Sequence, residues 1–178
     1  MLLLRIILPL VLATFLSTPA LLYAASVYET PAEFLNRAFA NSLPEPDVVW
    51  LSGDRKSSVR QILGHDYPAL RVRSWCQSGR SAWILDEIGK ELPITVGIIV
   101  DKNYISSLRV LTYRENRGGE VATPSFTDQF NGVALDGNDT LNIKIDGISG
   151  ATLSVQALTG LAGMALFLHA DNGCKNDA

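Results

Sequence analysis

An α+β fold, an antiparallel sheet with helices packed on it, is what this sequence predicts, on three observations. Strand-like segments follow one another from about residue 69 to residue 113. Helical patterns stand before and after that run instead of alternating with it, so the parallel βαβ arrangement of a dinucleotide fold has no support. A chain of 178 residues, 47% of them hydrophobic, can bury one substantial core and is short for two, which makes a single domain the expectation.

Residues 1–25 differ in kind from the rest. Arg5 is their only charged residue and the apolar run Ile6 to Leu22 follows it, the pattern of an export segment. Pro9, Pro19 and a length at the short end of the roughly 20 residues a membrane span needs favour a cleaved signal peptide. Ala24 and Ala25 are small, but Leu22 and Tyr23 stand two positions before them, and this keeps a retained N-terminal membrane anchor open. On either reading residues 26–178 form the domain and lie outside the cytoplasm, in the periplasm or at the outer face of the inner membrane.

The elements follow in order. Thr30-Pro31-Ala32-Glu33 is a helix start, with Thr30 as N-cap, Pro31 in the first turn and Glu33 closing a capping box. Phe34, Leu35, Ala38 and Phe39 then share one face, and Pro44 and Pro46 end the helix. A second short helix is expected over 58–63, stopped by Gly64. Strands are expected over 69–75 and 81–85, joined by a hairpin at Gln77-Ser78-Gly79-Arg80. The β-branched run 94–100 is long enough for a buried strand, Asp101-Lys102-Asn103 supplies a turn, and 104–113 alternates as its antiparallel neighbour.

Residues 114–123 form a polar loop with two adjacent glycines, and Thr123-Pro124 opens a short helix ending near Phe130. Leu141, Ile143 and Ile145 alternate with polar residues and predict one more strand. The last helix runs from about Thr152 to His169, with Leu158, Leu161, Ala165 and Leu168 at helical spacing, and the polar tail after Ala170 is expected to be loose.

Charge and composition exclude several functions. Net charge is −3, or −4 without Arg5, and no basic cluster occurs, so nucleic acid is not an expected partner. The two cysteines, Cys76 and Cys174, belong to no C-x-x-C pattern, and His65 and His169 stand apart from any ligand cluster, which leaves zinc and c-type haem unsupported. In an oxidising compartment Cys76 and Cys174 can pair, although sequence separation says nothing of their geometry.

The informative segment is Asp146-Gly147-Ile148-Ser149-Gly150-Ala151-Thr152-Leu153-Ser154. By itself it reads as a strand-to-helix turn, with Ser149 or Thr152 satisfying the orphan amides of the helix start. The pattern D-x-x-[ST]-G-A-T-x-[ST], however, resembles the FMN attachment signature of the FMN-binding domain family, which includes the flavin-carrying subunits of the Na⁺-pumping NADH:quinone oxidoreductase and of Rnf-type complexes. The resemblance covers about residues 93–168. It implies that a separate FMN transferase esterifies the phosphate of FMN to Thr152, with Asp146, Ser149, Gly150 and Ala151 as the rest of the motif. The physics of the position agrees, because free N–H groups and the positive end of a helix dipole favour a phosphate there.

A second segment, 111–121, resembles the family's strand followed by a Glu- and Gly-containing loop near the isoalloxazine ring, which places Glu115, Gly118 and Gly119 among the cofactor-binding residues. The Thr-Pro that follows the Glu in respiratory-complex members is Asn116-Arg117 here, so the chain resembles the stand-alone exported members more. Glu115 and Arg117 also read as solvated loop charges, and that alternative stays open. Residues 126–132 resemble the aromatic segment of the family, with Phe126 and Phe130 read as core; Trp50, Trp75 and Trp83 are half-buried strand residues or stacking partners of the flavin.

The function implied is a redox relay. A flavin takes electrons singly or in pairs, so a tethered FMN connects one-electron and two-electron partners, here membrane or periplasmic redox proteins as donor and acceptor. No placed set of acid and base groups points to a substrate, which favours a carrier over a stand-alone enzyme. A flavin-dependent reductase for a small substrate and an accessory module in assembly of a respiratory enzyme remain the alternatives.

Overall fold

The computed structural model describes residues 25–174; the expected export segment therefore lies outside the described residues except for Ala25. One six-stranded sheet organises the chain, in the order β1-β6-β5-β4-β3-β2 with every neighbouring pair antiparallel. The strands are β1 (Ser26–Val27), β2 (Pro46–Trp50), β3 (Arg71–Gln77), β4 (Arg80–Ile88), β5 (Pro93–Asp101) and β6 (Tyr104–Tyr113). The helices are α1 (Pro31–Ala38), α2 (Gly53–Leu63), the single turn α3 (Pro124–Thr127) and the long α4 (Thr152–Asn172). The α+β expectation of an antiparallel sheet with packed helices is met.

α1 begins as the sequence predicts. The Thr30 hydroxyl accepts from the Glu33 amide, while the Glu33 carboxylate accepts from the Thr30 amide at 2.8 Å. The helix lays Phe34, Leu35 and Ala38 on the outer face of the sheet, against Trp75, Ala82, Ile99 and Leu111. Gly97 permits this contact, since a β-carbon there would stand 2.6 Å from the Phe34 ring.

The inner face holds the larger core. α4 crosses β4 and β5 with α2 packed beside it, burying Leu158, Leu161, Met164, Ala165 and Leu168 against Trp83, Leu85, Val96 and Ile98. By length and composition alone α4 could cross a membrane, yet most of it is buried inside the domain. Its apolar character on nearly every side is that of a core helix enclosed by sheet, α2 and loops.

Several expectations need correction. No strand forms over Leu141–Ile145: Leu141 makes only an isolated antiparallel bridge to Leu135, and Ile143 is exposed. The Asp136 carboxylate bonds the Asn138 and Thr140 amides and fixes the intervening turn, and the Asn142 side chain, not a backbone carbonyl, accepts from the Ala134 amide, so the ladder stops. α2 starts five residues earlier than expected, at Gly53. The segment from Pro46, where the sequence reading places only Trp50 in a strand, is the edge strand β2, because Val48, Val49 and Trp50 pair with Arg73, Val72 and Arg71, and Trp50 is exposed there.

The tail after Ala170 is tied down as far as Cys174. α4 continues to Asn172, and Cys174 is 8% exposed and disulfide-bonded to Cys76 on β3, 98 residues away in sequence. The open question of cysteine pairing is thereby answered by proximity in space, with Cα atoms 5.7 Å apart.

Candidate functional site

Residues 146–151 deliver the chain to the start of α4 through a tight turn. The Ala151 amide donates to the Ile148 carbonyl at 3.0 Å, and Gly150 takes a left-handed φ of 83° in open space. Ala151 is the N-cap and no side chain bonds the first turn, so neither Ser149 nor Thr152 caps this helix. The Val155 amide is the first to reach back, to the Ala151 carbonyl. The amides of Thr152, Leu153 and Ser154 therefore precede the intrahelical ladder and concentrate the positive end of the dipole of a 21-residue helix. Thr152 is exposed at that end.

Two adjoining cavities meet at this point. One, of about 640 Å³, is lined by Lys90, Glu91, Glu115, Ala151, Thr152, Leu153 and Ser154; the other, of about 590 Å³, by Gly118, Gly119, Glu120, Thr123 and Ser149. Asn116, Arg117 and Gly150 line both, so the two form one trough with Thr152 in one half and the paired glycines in the other. Each half has the volume of a small-molecule site. A larger cavity of about 690 Å³ lies between α2, α4 and residues 138–145, but its walls are mostly apolar and do not include Thr152, so size alone does not locate the chemistry.

The wall opposite the helix is held by two contacts. The Tyr113 hydroxyl, at the end of β6, donates to the Arg117 carbonyl and lies 3.0 Å from the Ser154 hydroxyl on α4. Burial pushes the Tyr113 phenol up, with the nearby Glu115 and Glu120 carboxylates adding, so it remains a neutral donor. Gly118, at φ 84°, packs into the corner: a β-carbon there would stand 2.9 Å from the Tyr113 hydroxyl and 3.1 Å from the Ala151 β-carbon.

The second contact is Glu115. One of its carboxylate oxygens, Oε1, accepts from three successive amides of the turn between β4 and β5, those of Lys90 and Glu91 at 2.6 Å and of Leu92 at 2.8 Å. Desolvation works to raise the Glu115 carboxyl, but the three amides and the Lys90 charge outweigh it and hold it below the usual range. Glu115 is therefore neither a free solvated charge nor available in full to a ring.

Of the residues expected from sequence, the structure brings Glu115, Gly118, Gly119, Ser149, Gly150, Ala151 and Thr152 to the trough. Asp146 lines neither half; it is exposed, and its amide donates to Gln129. The tryptophans also stay away from it. Trp83 is fully buried and donates to Ser81, Trp75 lies in the outer core, and Trp50 is on the edge strand, so none can stack on a group held in the trough. Phe126 and Phe130 are core, packed edge to face with ring centres 5.8 Å apart.

Sequence reasoning missed Lys90, Glu91 and Tyr113. Their role depends on tertiary pairing of β4, β5 and β6, and no local pattern announces it. Ser154 was visible as the last position of the motif, but its partner was not.

Residues 89–166 match the FMN-binding domain, the family that the attachment motif resembles, and this match supports flavin binding with FMN as the cofactor. No curated protein and no solved structure matches it. The trough fits that cofactor chemically: three unladdered amides, Lys90 and Arg117 supply donors for a phosphate, and the absent β-carbon at Gly118 keeps the loop close against the helix.

Proposed function

With an FMN-binding domain over residues 89–166 as its premise, we propose that this protein is an exported electron-transfer flavoprotein carrying FMN as a phosphoester on Thr152. The observation that carries the reading is the position of Thr152, which is exposed at the uncapped start of α4 and lines the trough with Lys90 and Arg117. A transferase would move FMN onto the Thr152 hydroxyl oxygen from an activated flavin nucleotide in which the FMN phosphate is held in a pyrophosphate bond. That P–O bond breaks as the bond to Thr152 forms, the hydroxyl proton leaves with the released nucleotide, and the chain gains the mass of FMN less one water. The new phosphodiester-like anion then sits where helix amides and two cations stabilise it.

Once bound, the flavin supplies one- and two-electron chemistry. The chain itself binds and orients. Glu115 and the Tyr113–Ser154 pair fix the walls, and the Arg117, Gly118 and Gly119 backbone offers polar groups to whatever occupies the second half of the trough. The trough is open to solvent on its exposed rim residues Lys90, Asn116 and Leu153, which suits exchange of electrons with a docked partner. The Cys76–Cys174 disulfide supports an oxidising location outside the cytoplasm. Membrane or periplasmic redox proteins are the proposed donor and acceptor.

The test is production in an exporting host that contains an FMN transferase, followed by intact mass and in-gel flavin fluorescence of wild type and Thr152→Ala. Wild type should gain the mass of FMN less one water, and the variant should lose both mass and fluorescence. Wild type without that mass, in a host whose transferase modifies a control protein, refutes the attachment. Reoxidation by haem or membrane partners but not by small organic acceptors would support the carrier role; the reverse would favour a reductase.

A further inference from the structure

The turn between β4 and β5 is an anion nest. Three successive amides, those of Lys90, Glu91 and Leu92, converge on one point, a geometry that elsewhere cradles phosphate or a metal-cluster anion. Here the point is already filled, by Oε1 of Glu115 from the loop after β6. The fit is close, since a β-carbon on Gly89 would stand 3.1 Å from this oxygen and 3.0 Å from the Ile94 side chain. The neighbouring Arg114 is committed to the same join, with its guanidinium donating to the Pro93 carbonyl at 2.8 Å and the Thr95 hydroxyl at 2.9 Å.

The consequence for the site is geometric. Lys90 and Glu91 form one wall of the cavity that contains Thr152, and Asn116 and Arg117 form part of another. Glu115 binds these walls together. The site therefore has two places that attract an anion, the nest and the start of α4, and the chain occupies one of them with its own carboxylate.

We infer that Glu115 is the positioning residue of this site: its carboxylate fills the nest, sets the spacing between the Lys90 wall and Thr152, and leaves the start of α4 as the sole place for the FMN phosphate. The inference rests on the proposed attachment at Thr152 for its second half, while the clamp itself does not depend on flavin.

The experiment has two arms. In flavin-free Thr152→Ala protein, with and without Glu115→Ala or Glu115→Gln, amide hydrogen exchange is measured for residues 90–92. Loss of a charged acceptor should raise exchange there about tenfold or more in Glu115→Ala, less in Glu115→Gln, which keeps one acceptor oxygen. Acetate added to Glu115→Ala should refill the nest and restore protection. In flavinylated protein, matched for FMN content by intact mass, Glu115→Ala should shift the flavin midpoint potential and acetate should return it towards wild type.

Unchanged exchange at residues 90–92 overturns the clamp. Changed exchange with an unchanged potential overturns the positioning role. Loss of fold in Glu115→Ala leaves the decision to Glu115→Gln, in which exchange at residues 90–92 must exceed that of wild type and the potential must differ from it. If wild type carries no FMN, the attachment fails alone, and the exchange arm still decides whether Glu115 clamps the turn.

Discussion

Gly118→Ala is the sharpest test of how the trough is built, because Gly150 provides a matched control. Both glycines hold left-handed backbone, at φ 84° and 83°. An L side chain in that region costs about 1–2 kcal/mol, partly offset by about 0.4–1 kcal/mol from the smaller freedom of the unfolded chain. That part is common to both positions.

Packing separates them. At Gly150 a β-carbon meets nothing within 4 Å, whereas at Gly118 it meets the Tyr113 hydroxyl at 2.9 Å, the Ala151 β-carbon at 3.1 Å and the Ser154 hydroxyl at 3.4 Å. Two of these atoms belong to α4 and its N-cap and the third ties the loop to the helix, so relief requires the helix and loop to part. Overpacking of this kind costs about 1–3 kcal/mol. Gly150→Ala should therefore lose about 1 kcal/mol, and Gly118→Ala about 2–4 kcal/mol.

Urea denaturation of the oxidised protein in the Thr152→Ala background reads both values without a contribution from flavin. Equal losses at the two positions, or a loss below about 1 kcal/mol at Gly118, would refute the packing argument.

Two further outcomes are expected. Replacing Cys76 and Cys174 together by serine should lower stability by about 2–5 kcal/mol, since the bond closes a loop of nearly 100 residues; an unchanged denaturation midpoint with equal m-value would show that the bridge contributes nothing. His169 is buried and its Nδ1 lies 2.7 Å from the Ser81 hydroxyl, which in turn accepts from Trp83. Desolvation depresses its pKa below 6.5, against a smaller opposing pull from Asp101. The unfolded chain then binds the extra proton first, so stability should fall as pH drops below about 6.5 and continue falling until the folded-state pKa is passed. His169→Gln should flatten the stability profile in that window, and an unchanged slope would refute the assignment.

Much of the frame was legible from residue order alone. The capping box of α1, the hairpin at Ser78-Gly79, the β-branched run of β5 and the helical spacing after Thr152 each depend on local preferences, and each lies where the sequence puts it. The Leu141–Ile145 strand failed for an equally local reason that alternation does not register: the backbone bonds Asp136–Thr140 and Asn142–Ala134 close only a short hairpin, the Asp136 carboxylate fixes its turn, and the Ala134 amide goes to the Asn142 side chain instead of extending the ladder. β2 was hidden because two prolines mark an end, and only a partner strand shows that the next residues begin an edge.

At the site the division follows the same physics. By itself the sequence determined which hydroxyl stands at a helix start, because Gly150 and Ala151 make the turn and the motif names the cofactor's family. Only the tertiary structure decided what Glu115 and Tyr113 do. Their partners lie on the β4–β5 turn and on α4, 23 to 41 residues away in sequence, and no periodicity encodes a contact made across a sheet. Thr152 is a property of the chain; the trough around it is a property of the fold.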